Sequence, residues 1–89
     1  DVTADPFANS YTVTYVPNNG TTEDPVVKTE IAGATHTVLN NSDASLSFTA
    51  PATKSFSKWN TKADGSGTDK AAASTITMTA DVVLYAVWA

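Results

Sequence analysis

Asp81-Val82-Val83-Leu84-Tyr85-Ala86-Val87-Trp88 is a nearly unbroken apolar run rich in β-branched and aromatic residues, and its reading decides the fold. It is too short to span a bilayer as a helix and too rich in valine for a soluble helix. Its length suits a strand covered on both faces. The rest of the chain is therefore expected to pack against it.

Working outward from this run, Thr75-Ile76-Thr77-Met78-Thr79 alternates and reads as another strand. Lys70 to Ser74 is alanine-rich but too short to hold a helix unaided. Asp64-Gly65-Ser66-Gly67 is a glycine turn within the polar loop Asn60 to Thr68. Lys54 to Trp59 brings Phe56 and Trp59 close together. Ser42 to Pro51 sets Ala44, Leu46, Phe48 and Ala50 against Ser45, Ser47 and Thr49, which favours an extended segment. A helix capped by Ser42 or Asp43 is disfavoured, because Leu46 and Phe48 would not share a face.

Ala34 to Asn40 is open to two readings, a strand or one helical turn ending at Asn40-Asn41. Before it, Tyr11, Val13 and Tyr15 alternate with Thr12, Thr14 and Val16, the period of a strand. Val27, Thr29 and Ile31 alternate with Val26, Lys28 and Glu30 in a second, half-exposed strand. Pro17-Asn18-Asn19-Gly20 supplies the reversal, so these two strands form an antiparallel hairpin. Residues 1–10 show little periodicity and read as a linker or lead-in, with Phe7 the one side chain suited to docking on the domain. Residues 11–89 form the module.

One domain of 89 residues with 42% apolar content can close a modest core, with a stability margin of only a few kcal/mol. There is no cysteine, which removes disulfides, thiolate nucleophiles and cysteine zinc sites. The net charge is −4 and the five basic residues are scattered lysines (28, 54, 58, 62, 70). Without arginine or a basic patch, nucleic acid is excluded as a partner. The surface is dominated by threonine, serine and asparagine, as suits exported proteins. No signal peptide, transmembrane run or lipidation motif is present, so the chain reads as a segment of something longer.

Taken together, the stretches resemble the Listeria-Bacteroides repeat, the module also known as the B repeat of internalin B-type bacterial surface proteins. The resemblance spans most of Tyr11 to Trp88. It rests on Tyr11-Thr12-Val13-Thr14-Tyr15 with Asn18-Asn19-Gly20, on Phe56 and Trp59 in Ser55 to Lys62, on the glycine turn, and on Leu84-Tyr85-Ala86-Val87-Trp88. The chain departs from the family pattern at Thr53, Lys54 and Lys58, where the family carries glycine or an aromatic, and in a longer segment Asn40 to Ala52. The resemblance implies an α+β fold, a small β-grasp (ubiquitin-like) mixed sheet with one short helix near Ala34 to Asn40 and the last strand central or near-central. It further implies an extracellular, non-enzymatic spacer or stalk repeat of a bacterial surface or secreted protein, with a contribution to adhesion.

No residue constellation argues for catalysis, a cofactor or a metal. His36 is the only histidine and has no carboxylate at helical spacing, so it reads as an exposed or partly packed side chain. There is no Gly-x-Ser-x-Gly elbow. Asp64, Ser66, Thr68 and Asp69 lack the spacing and terminal glutamate of a calcium loop. Glu23-Asp24 reads as solvated, and no spacing singles out a Lys-Asn crosslink. Asn19-Gly20-Thr21 and Asn40-Asn41-Ser42 are glycosylation sequons that mark loops. Trp59, Tyr85 and Trp88 read as core before they read as a sugar- or peptide-binding platform. The partners expected are neighbouring repeats or a host or cell-surface protein or glycan, without membrane insertion, and the isolated module is expected to be a monomer. The rival reading is a dedicated protein- or glycan-binding domain that uses exposed aromatics or a sheet edge.

Overall fold

The computed structural model describes residues 10–89. The expected lead-in and Phe7 therefore lie outside the described residues, except for Ser10, which already pairs with Ile31. The elements are β1 Ser10–Val16, β2 Val26–Ile31, β3 Thr35–Thr37, β4 Phe56–Asn60, β5 Asp69–Lys70, β6 Thr75–Thr77 and β7 Val82–Trp88. Five strands form one mixed sheet in the order β2-β1-β7-β4-β5, and β3 and β6 form a separate two-stranded ribbon. The run from Val82 to Trp88 is thus the central strand.

β7 lies parallel to β1, with Val13 opposite Val82 and Val16 opposite Tyr85. It lies antiparallel to β4, where an irregularity falls between Phe56 and Lys58. The expected hairpin forms, with Thr12 opposite Thr29. Its reversal uses positive φ at Asn18 (48°) and Gly20 (77°), a conformation that asparagine and glycine reach at low cost.

The α+β expectation is overturned, because the described residues contain no helix and the fold is all-β. Ala34 to Asn40 resolves as β3 because a partner is available. Thr35, His36 and Thr37 pair with Thr77, Ile76 and Thr75. The ribbon is prolonged at both ends by Gly33 N–H to Met78 O (2.8 Å), Met78 N–H to Ala34 O (2.9 Å) and Val38 N–H to Ser74 O (2.8 Å). A helical turn would satisfy fewer of these backbone groups and would place β-branched threonines in their less favoured setting.

The expected extended segment Ser42 to Pro51 is also corrected. Asp43 N–H donates to Asn40 O and Leu46 N–H to Asp43 O, so the chain makes consecutive turns. The Asn41 amide then stands in for a strand partner, donating to Phe48 O (3.0 Å) and accepting Phe48 N–H (2.8 Å). Leu46 and Phe48 enter the core from this loop, so side chains from turns occupy part of the space a helix would have covered.

The core lies on one face of the large sheet. Val13, Tyr15, Leu84, Ala86 and Trp59 meet Val38, Leu46, Phe48 and Met78 from the ribbon and loop. Tyr15, Trp59, Phe56 and Trp88 stack in series, with centroids 4.9, 4.8 and 5.9 Å apart in geometries from tilted to edge-on. These orientations suit the ring quadrupole. Both indoles are satisfied: Trp59 donates to Leu39 O and Trp88 to Pro17 O, each at 2.8 Å.

Candidate functional site

Polar side chains from three strands meet at one edge of the core. β2 presents Val26, Lys28 and Glu30 inward and Val27, Thr29 and Ile31 outward. The alternation of β3 turns His36 inward between exposed Thr35 and Thr37. Tyr15 on β1 is fully buried.

These three strands bring Glu30, His36 and Tyr15 into one line. His36 Nδ1 is 2.6 Å from Glu30 Oε2, and His36 Nε2 meets the Tyr15 hydroxyl. The Leu39 amide donates to the same hydroxyl at 3.1 Å. One proton arrangement satisfies the chain: Leu39 N–H to the Tyr15 oxygen, Tyr15 O–H to Nε2, and Nδ1–H to the glutamate. Burial holds the Tyr15 hydroxyl above the ordinary tyrosine range, a shift opposed by the Leu39 hydrogen bond and reinforced by Glu30 and Asp43. The hydroxyl therefore stays protonated as a donor.

Above this line lies a shallow, open concavity of about 600 Å³, lined among others by Lys28, Glu30, His36, Asp43 and Ser45. It carries both signs of charge, and Asp43 is already committed to the Ser45 amide (2.9 Å) and hydroxyl (2.7 Å). Those bonds hold the Asp43 carboxyl below the usual aspartate range. Among the described residues no group of three or more metal-ligating side chains is placed to hold an ion. The geometry supplies a glutamate, an imidazole and a phenol already committed to one another. What it does is tie the ribbon to the sheet.

The other sequence candidates lie elsewhere. Glu23 binds the Thr49 amide (2.9 Å) and the Asn19 side chain (2.6 Å), so the carboxylate joins two loops instead of pairing with Asp24. These bonds lower its pKa. Asn19 also reaches Thr49 O (2.7 Å), and Asn40 closes an Asx turn on Ser42 (3.0 Å), so both sequons sit in loops. Asp64 is taken up by Ser66, at 3.0 Å to its amide and 2.7 Å to its hydroxyl. Asp69 faces Asn60 (2.7 Å) and Lys58 (2.8 Å), so the oxygens of this loop do not converge. Trp59 is fully buried, Trp88 is half-buried, and Tyr85 sits on the opposite face of the sheet, so the three make no common platform.

Two features escaped the sequence reading. His36 is buried and linked to two side chains, although the alternation Thr35-His36-Thr37 was a signal that a strand would turn it inward. Asn60 is fully buried and organises the following loop, donating to Gly65 O (3.2 Å) and Asp69 while accepting from the Lys62 and Gly67 amides (2.9 Å each). The glycine turn beside a strand-terminal asparagine was its signal.

Among family models, that of the Listeria-Bacteroides repeat domain matches residues 11–87. The chain matches none of the curated proteins and none of the solved structures.

Proposed function

We infer, from the chain's belonging to the Listeria-Bacteroides repeat domain family, that it is a non-enzymatic extracellular module acting as a spacer or stalk repeat of a bacterial surface protein. Repeats of this family occur in bacterial surface proteins and are generally without enzymatic activity.

The observation that carries the spacer reading is the parallel pairing of the first and last strands. Tension along a stalk enters ahead of β1 and leaves after β7. Because Val13 to Val16 run alongside Val82 to Tyr85 in the same direction, that tension loads the ladder in shear. Evenly spaced parallel hydrogen bonds then resist together instead of opening one at a time.

An adhesive or dedicated recognition role is the second reading, favoured by the open concavity over Lys28, Glu30 and Asp43. Exchange of the module in its parent protein for an unrelated domain of equal reach separates the two. The spacer reading expects surface display and function to persist. Their loss, with ligand binding traced to the concavity, overturns it.

A further inference from the structure

Among the described residues β2 is an edge strand, with β1 as its one neighbour in the sheet. Native sheets usually guard such an edge, since its unpaired backbone groups template another strand. Here Pro25 precedes the strand, and Lys28 and Glu30 point toward the concavity, yet Val26–Ile31 runs regularly against β1 with no bulge. Its outer face exposes Val27 (56%) and Ile31 (55%), the two most exposed large apolar residues described.

The sequence of this edge is complementary to itself. If a second β2 is laid antiparallel beside it about a two-fold axis at Thr29, Lys28 stands opposite Glu30 of the second copy and Glu30 opposite its Lys28. Val27 stands opposite Ile31 and Ile31 opposite Val27. Both charge pairs fall on the concave side and both apolar pairs on the outer side. This follows because directly opposed residues in an antiparallel pair share a face. Glu30 binds His36 through Oε2, and a carboxylate can accept through its second oxygen as well.

We propose that the β2 edge is a docking surface for a second copy of this chain, which pairs antiparallel and two-fold about Thr29 to join two sheets into one. The symmetry is that of a closed isologous contact. A single strand pair buries less than a standard interface of about 1,200–2,000 Å². The association is therefore weak. On this proposal an isolated module is monomeric when dilute and pairs when local concentration is high.

The chain lacks cysteine, so a single introduced thiol reports position. Thr29→Cys places two thiols across the axis at a Cα separation of about 4.5–5.5 Å, within disulfide range. Thr12→Cys, on neighbouring β1 and inside the sheet, serves as the control. At millimolar concentration under oxidant, Thr29→Cys is expected to crosslink at least tenfold faster than Thr12→Cys. Adding Lys28→Glu sets four carboxylates against one another and is expected to bring that rate down to the control. Equal rates for the two cysteine variants, or a rate indifferent to Lys28→Glu in a chain with unchanged circular dichroism, overturns the proposal. In the unaltered chain, hydrogen-exchange protection of β2 amides should rise with concentration while that of β7 stays constant. Protection of β2 independent of concentration also overturns it.

Discussion

Replacement of Tyr15 by Phe removes one oxygen and changes almost nothing else. The ring stays between His36 and Trp59, with centroids at 5.9 and 4.9 Å in the native chain. The hydroxyl, however, accepts from the Leu39 amide and donates to His36, so the part-buried amide and the buried imidazole both lose that partner. Each buried polar group left unsatisfied costs about 1–3 kcal/mol. With the ring packing kept and one of the two groups only part-buried, the expected loss lies at the low end of the two-group sum, about 2–3 kcal/mol, roughly 8–24 °C in Tm for a domain of this size. Urea unfolding followed by tryptophan emission measures it, and an unchanged slope would show that the unfolded reference is unaltered. The double variant Tyr15→Phe, His36→Leu should lose less than the sum of the single losses, because both ends of the bond are then apolar. A loss for Tyr15→Phe below about 0.5 kcal/mol, or strict additivity, would refute the role assigned to this line of side chains.

Leu84 is fully buried on the core face of β7, so Leu84→Ala should cost about 2–5 kcal/mol by thermal unfolding, whereas Val83→Ala on the outer face should cost far less. Gly67→Ala should disorder the Asn60 loop, since a Cβ there would lie 2.2 Å from Thr61 Oγ1 and 2.9 Å from Asn60 Oδ1; loss of the Gly67 and Lys62 amide protection would report it. Glu23, Asp43, Asp64 and Asp69 all have carboxyls held below their usual range by hydrogen bonds. Their stabilisation is present above the unfolded carboxylate range and is lost as pH falls through the lowered folded values, so acid titration of Tm should decline there, and Glu23→Gln should flatten part of the decline. Tyr15 acts with the opposite sign: its contribution holds below the ordinary tyrosine range and disappears as pH rises through its raised folded value, a decline that Tyr15→Phe should remove. Chelator and reductant should leave the folded signal intact, since no thiol exists and the observed ties are hydrogen bonds and apolar contacts.

The strands with clear alternation were legible in the sequence because a period of two survives whatever the strand packs against. That covers β1, β2 and β6, while β7 was legible from the length and β-branched content of its unbroken apolar run. β3 was not decided, because three residues are compatible with either state and only the pairing of Thr35 to Thr37 with Thr75 to Thr77 chooses between them. The turns after Asn40 were missed for a related reason: the alternation of Leu46 and Phe48 does mark two buried side chains, but the Asn41 amide supplies the backbone bonds that a strand partner would have made. On β2 the period was visible and the sense was not. The charged pair Lys28 and Glu30 faces inward because His36 and the open concavity receive it, leaving Val27 and Ile31 outside. The Glu30, His36 and Tyr15 line could not be read from spacing at all, since its members come from three strands joined only by the tertiary fold.

As a spacer, this module carries tension through the parallel contact of β1 with β7. Single-molecule pulling tests it by comparing two directions in one chain. Force applied through the chain ends shears that contact, whereas force applied through cysteines placed at Thr29 and Ser66 pulls across the sheet and peels its edges. Unfolding in one step at a markedly higher force through the chain ends is the predicted result. Equal forces in the two directions, or early release of β7 when the ends are pulled, would contradict it.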